Sequence, residues 1–156
     1  MEPKQRLINS EIGLLYLVAT DRGLRGIFFR DPKLPAARSG ESQNIILDLA
    51  AAQLEEYFAG ERHAFDLPLD PKGTDFQMQV WEQLAKIPYG QTRSYKDIAT
   101  AVQNSKASRA VGTANGRNPL SIVVPCHRVI NADGTLGGYG GGIDIKKQLL
   151  KLEQQR

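Results

Sequence analysis

The sequence predicts an α/β chain of the α+β kind. A small lobe of antiparallel sheet plus helix comes first, then a mainly helical lobe with a helix-turn-helix and a short buried strand leading to a cysteine. Three observations carry this. Apolar, aromatic-bearing runs with strand character flank Asp21-Arg22-Gly23 near the start; helix-spaced apolar faces with two-sided caps dominate after Thr74; and the charge changes sign between the halves. Residues 1–73 hold nine Lys/Arg against eleven Asp/Glu, a net of −2, and residues 74–156 hold eleven against six, a net of +5.

"IGLLYLVATDRGLRGIFFR" reads as two strands joined in a hairpin, with Gly23 available for positive φ. "DPKLPAARSGES" is a Pro/Ser/Gly-rich connection. In "QNIILDLAAAQLEEYFAG", Ile46, Leu47, Ala50, Leu54, Tyr57 and Phe58 fall at helical spacing, and Gly60 stops the helix that covers the sheet. "HAFDLPLDPKG" is extended and Pro-rich and lies where the charge changes sign. The lobe boundary is placed there, giving lobes 1–71 and 72–156. Thr74 caps the next helix with Gln77 as its reciprocal partner, and Phe76, Val80, Leu84 and Ile87 line one face as far as Pro88. Ser94 and Asp97 repeat the spacing at the head of "SYKDIATAVQ". "SKASRAVGTAN" follows, with Ser105 as its expected cap and its end at Asn115-Gly116. The two short helices form a helix-turn-helix candidate, although pairs that merely pack share the pattern. "LSIVV" reads as a buried β-branched strand ended by Pro125.

The composition, 156 residues with 41% hydrophobic and 24% charged, suits one domain or two small lobes. No stretch approaches the roughly 18 apolar residues of a membrane span, and "MEPKQRLINSEIG" lacks the apolar core of a signal peptide, so a cytoplasmic protein without a membrane partner is expected. No fused regulatory domain is expected either. The single cysteine excludes an intrachain disulfide, and His63 and His127 beside it are too few for a structural zinc site, so no metal and no cofactor are expected. Between Lys86 and Arg128 seven basic residues stand against one acid, Asp97. That is the footprint of a polyanion partner or simply a solvated basic surface.

The second helix of the pair is built from small residues, Ala107, Ala110, Val111, Gly112 and Ala114, with Arg109 as its long cation. An ordinary helix is about 10–12 Å across and a DNA minor groove about 6 Å wide, so only a helix of small residues presses into it.

Cys126 sits after Pro125 and before His127 and Arg128. A lone cysteine at a strand end is commonly a packing residue. Cationic and hydrogen-bonding neighbours favour the thiolate, the nucleophilic form, and they argue for chemistry here.

"PCHRVI", preceded by "RAVGTANGRNPLSIVV" and followed by "GGYGGG" and "IKKQLLKLE", closely resembles the active-site region of the O6-alkylguanine-DNA alkyltransferases, also called methylated-DNA–protein-cysteine methyltransferases. The resemblance is continuous from Thr74 to Glu153. The first lobe matches in layout and in "LEEYFAG", which implies a ribonuclease-H-like lobe before the DNA-binding, alkyl-accepting one. Carried over by position, Cys126 is the acceptor, His127 the base acting through a water, Glu153 the acid that orients it, and Asn118 the brace of the site. Tyr95 is the donor to N3 of the extruded guanine and Arg109 the residue replacing that base in the stack. Tyr139 falls beside the base pocket. Gly140 stands where members often carry Ser, its backbone N–H still able to meet O6. Ser94, Ala107, Ala110, Gly112, Ala114 and Arg128 complete the expected DNA- and substrate-contacting set.

The resemblance implies direct-reversal repair by a monomer on double-stranded DNA containing O6-alkylguanine, with O4 of thymine as an extension. The base is flipped through the minor groove, and the alkyl group passes irreversibly to Cys126. The residue types suit this: a soft nucleophile attacks the alkyl carbon, a phenol offsets charge on the departing guanine, and nothing hydrolyses the thioether, so each molecule acts once. Two rivals make different predictions. A Cys-His hydrolase using Cys126, His127 and Glu153 as a triad turns over, and a non-catalytic alkylated-DNA-binding protein transfers nothing.

Overall fold

The structure is a computed structural model and describes residues 3–33 and 44–154. Most of the connection read from "DPKLPAARSGES", residues 34–42, lies outside the described residues. The chain divides into two compact units, Met1–Lys72 and Gly73–Arg156.

In the first unit three antiparallel strands, β1 (Lys4–Ser10), β2 (Gly13–Ala19) and β3 (Leu24–Phe28), form a sheet in sequence order. β1 escaped the sequence reading because "KQRLINS" carries few apolar residues; it is ordered by pairing with β2 from Lys4↔Ala19 to Ser10↔Gly13. Helix α1 (Ile45–Phe58) packs on all three strands. Asn44 caps it, its side chain accepting from the N–H groups of Ile46 and Leu47. All six residues expected on its inner face are buried, each worth roughly 1.5–3 kcal/mol if large and apolar.

The β2–β3 hairpin needs Gly23 for another reason than its φ, which is not positive. A Cβ there would sit 2.7 Å from the Pro68 carbonyl carbon, because the 68–70 segment runs against β3, with Leu24 N–H donating to Pro68 O and Asp70 N–H to Leu24 O, each at 2.8 Å.

The second unit is mainly helical. α2 (Asp75–Ala85) begins with the Thr74–Gln77 capping box, and α3 (Tyr95–Ala101) with the Ser94–Asp97 box. α4 (Ser108–Gly116) packs against both. Ser105 is not its cap: Ala107 holds that position and supplies no side-chain bond. α5 (Ile143–Gln154) turns Lys146, Leu149 and Glu153 inward. Two short strands, β4 (Arg93–Ser94) and β5 (Val129–Ile130), pair in parallel.

The expected strand before the cysteine is not a strand. Leu120, Ile122 and Val124 are buried as the β-branched run predicted, but the backbone folds into successive tight turns. Val123 N–H bonds to Ser121 O at 2.9 Å with Ile122 at φ 76°, a γ-turn of the rare, strained hand. Cys126 N–H bonds to Val124 O at 2.8 Å with Pro125 at φ −81°, ψ 67°, the common inverse γ-turn. Cys126–Arg128 then form one 3₁₀ turn, and the short strand β5 follows the cysteine instead of leading to it.

Candidate active site

Cys126 is 4% exposed and His127 wholly buried. Asn118, just past α4, fastens the turns that carry the cysteine: its amide donates to Val124 O at 2.8 Å and its carbonyl oxygen accepts from Leu120 N–H at 3.0 Å. Asn115 Nδ2 donates to Cys126 O at 3.4 Å. His127 and Arg128, consecutive in a 3₁₀ turn, both reach Glu153 on α5. The His127 Nε2 to Glu153 Oε2 distance is 2.7 Å, and Arg128 donates through Nε to Oε1 at 2.8 Å and through Nη2 to Oε2 at 3.0 Å. Gly90 N–H adds a longer contact to Oε1 at 3.4 Å.

Arg128 is therefore not a DNA contact, as the sequence reading had it. It is 5% exposed, its third branch donates to Ile87 O at 2.7 Å, and its guanidinium lies 5.6 Å from the Tyr89 ring centroid. A guanidinium so enclosed satisfies a buried carboxylate in bidentate fashion and has no reach to a phosphate.

The electrostatics follow from burial. Desolvation pushes the Cys126 thiol up, with Asn118, the Lys146 charge and Ser121 pulling the other way. The expectation that adjacent cations favour the thiolate fails for Arg128, whose charge Glu153 neutralises. Burial pushes His127 down, opposed by its bond to Glu153, so its imidazole is neutral at pH 7 and able to accept a proton. Nε2 faces a carboxylate held by a guanidinium; Nδ1 is buried with no hydrogen-bond partner among the described residues.

Burial pushes Tyr95 up, and so does a charge on Cys126; Tyr139 is pushed well above the ordinary phenol range for the same two reasons. Both therefore stay O–H donors at neutral pH. Tyr95 opens α3 and lines a groove of about 630 Å³ together with Arg109, Gly112, Asn131, Gly137 and Gly138. Gly137 has φ 72°, and a Cβ on it would lie 3.1 Å from the Tyr95 hydroxyl, so a glycine is required where the loop abuts this phenol.

The other expected contacts divide. Arg109 and Ala110 are exposed on α4, Ala107 and Gly112 partly so, and Gly140 is exposed with open space where a Cβ would be. Ala114 is 2% exposed and does not face outward: its carbonyl accepts the Trp81 indole N–H at 2.9 Å, so its small size serves packing on α2. The Ser94 hydroxyl caps α3 at Asp97 N–H, 3.0 Å.

Lys146 was missed. Its ammonium is buried and donates to three backbone carbonyls, Val129 at 2.7 Å, Gly138 at 3.2 Å and Leu136. Burial lowers it to about 8. It ties the 136–138 loop, one wall of the groove, to β5. The only available signal was its place one turn before Leu149 and two turns before Glu153 on one helix face.

Residues 75–155 match the family described as 6-O-methylguanine DNA methyltransferase, DNA binding domain, and residues 4–71 match that protein's ribonuclease-like domain. The chain belongs to the 6-O-methylguanine DNA methyltransferase family. It is 49% identical over 152 residues to the methylated-DNA–protein-cysteine methyltransferase of Methanosarcina barkeri, covering 95% of each chain, and 49% identical over 151 residues to that of Mycolicibacterium paratuberculosis, covering 96% of this chain and 92% of the relative. A crystal structure of Mycobacterium tuberculosis O6-methylguanine methyltransferase superposes with TM-score 0.90 at 46% identity, covering 99% of this chain and 94% of that one. A structure of the M. tuberculosis OGT in complex with DNA matches equally well, TM-score 0.90 at 46% identity over 97% and 93%. No described helix of this family member is long and apolar enough to cross a membrane.

Proposed function

We infer that this chain repairs DNA by direct reversal, moving a methyl or larger alkyl group from O6 of guanine in double-stranded DNA to its own Cys126, once per molecule. Membership of the family supports the activity. The observation that carries the mechanism is the buried His127–Glu153 contact, Nε2 to Oε2 at 2.7 Å, in the same 3₁₀ turn as Cys126, with His127 Nδ1 left without a hydrogen-bond partner among the described residues.

His127 Nδ1 takes the thiol proton through one water as the sulfur attacks the alkyl carbon. A C–S bond forms, the C–O6 bond breaks, and its electron pair passes into the guanine, where the Tyr95 hydroxyl donates to N3. Glu153 holds the ring and faces the imidazolium as it forms. Asn118 fixes the turns under the sulfur. The transfer balances without a cofactor. Arg109, exposed above the groove, fills the gap left by the flipped base, and Ala107, Ala110 and Gly112 allow α4 to approach the minor groove closely. Tyr139 and the Gly140 N–H bound the base pocket. We assign phosphate binding and alkyl acceptance to residues 72–156 and read the protein as a cytoplasmic monomer.

Incubation with duplex DNA bearing O6-methylguanine, followed by intact mass, tests this. One methyl is gained per protein, and Cys126→Ser gains none. Turnover beyond one equivalent would point to a hydrolase, and binding without transfer to a non-catalytic reader.

A further inference from the structure

The mechanism needs one tautomer of His127, and His127 alone does not choose it. An imidazole beside a carboxylate keeps its hydrogen on the facing nitrogen only while the carboxylate is an acceptor. A neutral carboxyl can instead donate to that nitrogen and drive the ring hydrogen to the other side. Glu153 is 2% exposed, and burial without a compensating cation favours the neutral acid. What opposes this is the Arg128 fork. Three N–H groups converge on Glu153, two from Arg128 and one from Gly90, with His127 Nε2 2.7 Å from Oε2, and the guanidinium supplies the full positive charge among them.

We propose that Arg128 is a positioning residue for the transfer: by holding Glu153 as an ionised acceptor it locks the His127 ring hydrogen on Nε2, leaving Nδ1 as the base for Cys126. This rests on the function proposed above, in which His127 accepts the thiol proton. Arg128 touches neither DNA nor the alkyl group; it acts through Glu153 and, through that, His127.

Its neighbours are arranged for the purpose. Nη1 is anchored on Ile87 O at 2.7 Å and the guanidinium lies over the Tyr89 ring at 5.6 Å, so the fork is oriented independently of the carboxylate it grips. The residue next to the base in sequence therefore sets its protonation site by way of a helix 25 positions further on.

The test is nitrogen-15 NMR of the His127 ring, read alongside single-turnover transfer. In the DNA-free wild type at neutral pH the Nε2–H tautomer is expected; a dominant Nδ1–H form would overturn the proposal with no variant needed. In Arg128→Met the ring shifts toward Nδ1–H and transfer slows by 100-fold or more. In Arg128→Lys, which keeps a cation beside Glu153 but loses the fork, Nε2–H returns and at least a tenth of the wild-type rate with it. If Arg128→Met folds, slows and keeps Nε2–H, the role is packing and the proposal fails. If Arg128→Met does not fold, Arg128→Lys decides: Nε2–H with the rate retained supports the lock, and a rate lost while the tautomer is kept refutes it. Methyl transfer by the wild type, measured by mass, is a separate readout, so failure of the lock is distinguishable from failure of the functional reading.

Discussion

Replacing Lys146 by Met keeps most of the side chain's volume and removes its ammonium. Three carbonyls lose a donor, but not equally. Leu136 and Gly138 lie on a partly exposed loop and can turn to water, whereas Val129 is fully buried, so its carbonyl bears the loss. One buried group left unsatisfied costs about 1–3 kcal/mol. At about 2–4 °C per kcal/mol for a chain of this size, the variant should melt roughly 2–12 °C below the wild type. The pH dependence has a definite sign. Lys146 is lowered to about 8 in the folded protein against an ordinary value of 10.5, so from about 8 upward the unfolded chain holds a proton the folded chain has shed. Wild-type stability therefore rises across that window relative to Met, which does not titrate. Melting curves at pH 7 and 9.5 should show the gap widening at the higher pH. Equal melting temperatures at pH 7, or a gap that narrows, would refute this reasoning, because the three bonds would then only offset the cost of burying the amine.

Because burial pushes His127 down, and only its neutral form accepts the thiol proton, transfer should hold its rate as pH falls through the ordinary histidine value of about 6.5 and decline below it. Single-turnover rates from pH 5 to 8 check this, and a midpoint at or above the ordinary value contradicts it. Arg109→Ala should slow repair of duplex DNA far more than of a short single strand, since the strand has little stack to fill; equal losses would mark a simple phosphate contact. Gly140→Ser meets open space, so its melting temperature should match the wild type within the roughly 0.5 kcal/mol of an ordinary surface change, while the added hydroxyl alters the relative rates on methyl and benzyl substrates. A methyl left on the buried sulfur overpacks its site by about 1–3 kcal/mol, so the alkylated protein should melt below the free one; Cys126→Ser, carried through the same incubation, should not shift.

Much of this was legible because it was local. Thr74 with Gln77 and Ser94 with Asp97 cap their helices through bonds that span three residues, and the α1 face is a matter of periodicity. Cys126, His127 and Glu153 were legible by resemblance. Where distant chain decides, the reading failed. Among the lysines of "IKKQLLKLE" only a shared helix face with Leu149 and Glu153 marks Lys146, and the three carbonyls that receive its ammonium lie elsewhere in the chain. Arg128 was read as one of the DNA- and substrate-contacting residues because its partner carboxylate lies 25 residues away. Leu120–Val124 looked like a strand because a β-branched buried run has the same composition whether it extends or turns, and a positive φ at Ile122 opposes every local preference.

Those turns bear on timing. Two three-residue rings in series, closed at Ile122 and Pro125 and strapped by Asn118, leave the segment beneath the sulfur few torsions to spare. A nucleophile mounted this way does not travel. In-line displacement tolerates little angular error, so the alkyl carbon must be delivered to a stationary sulfur, and whatever excursion precedes the chemistry falls to the DNA strand. The overall rate is then the chemical step scaled by the fraction of time a damaged nucleotide spends swung out, a fraction that depends on the stability of its own base pair. Lesions in loosely stacked sequence should be cleared sooner than identical lesions in stiff sequence by an unchanged protein.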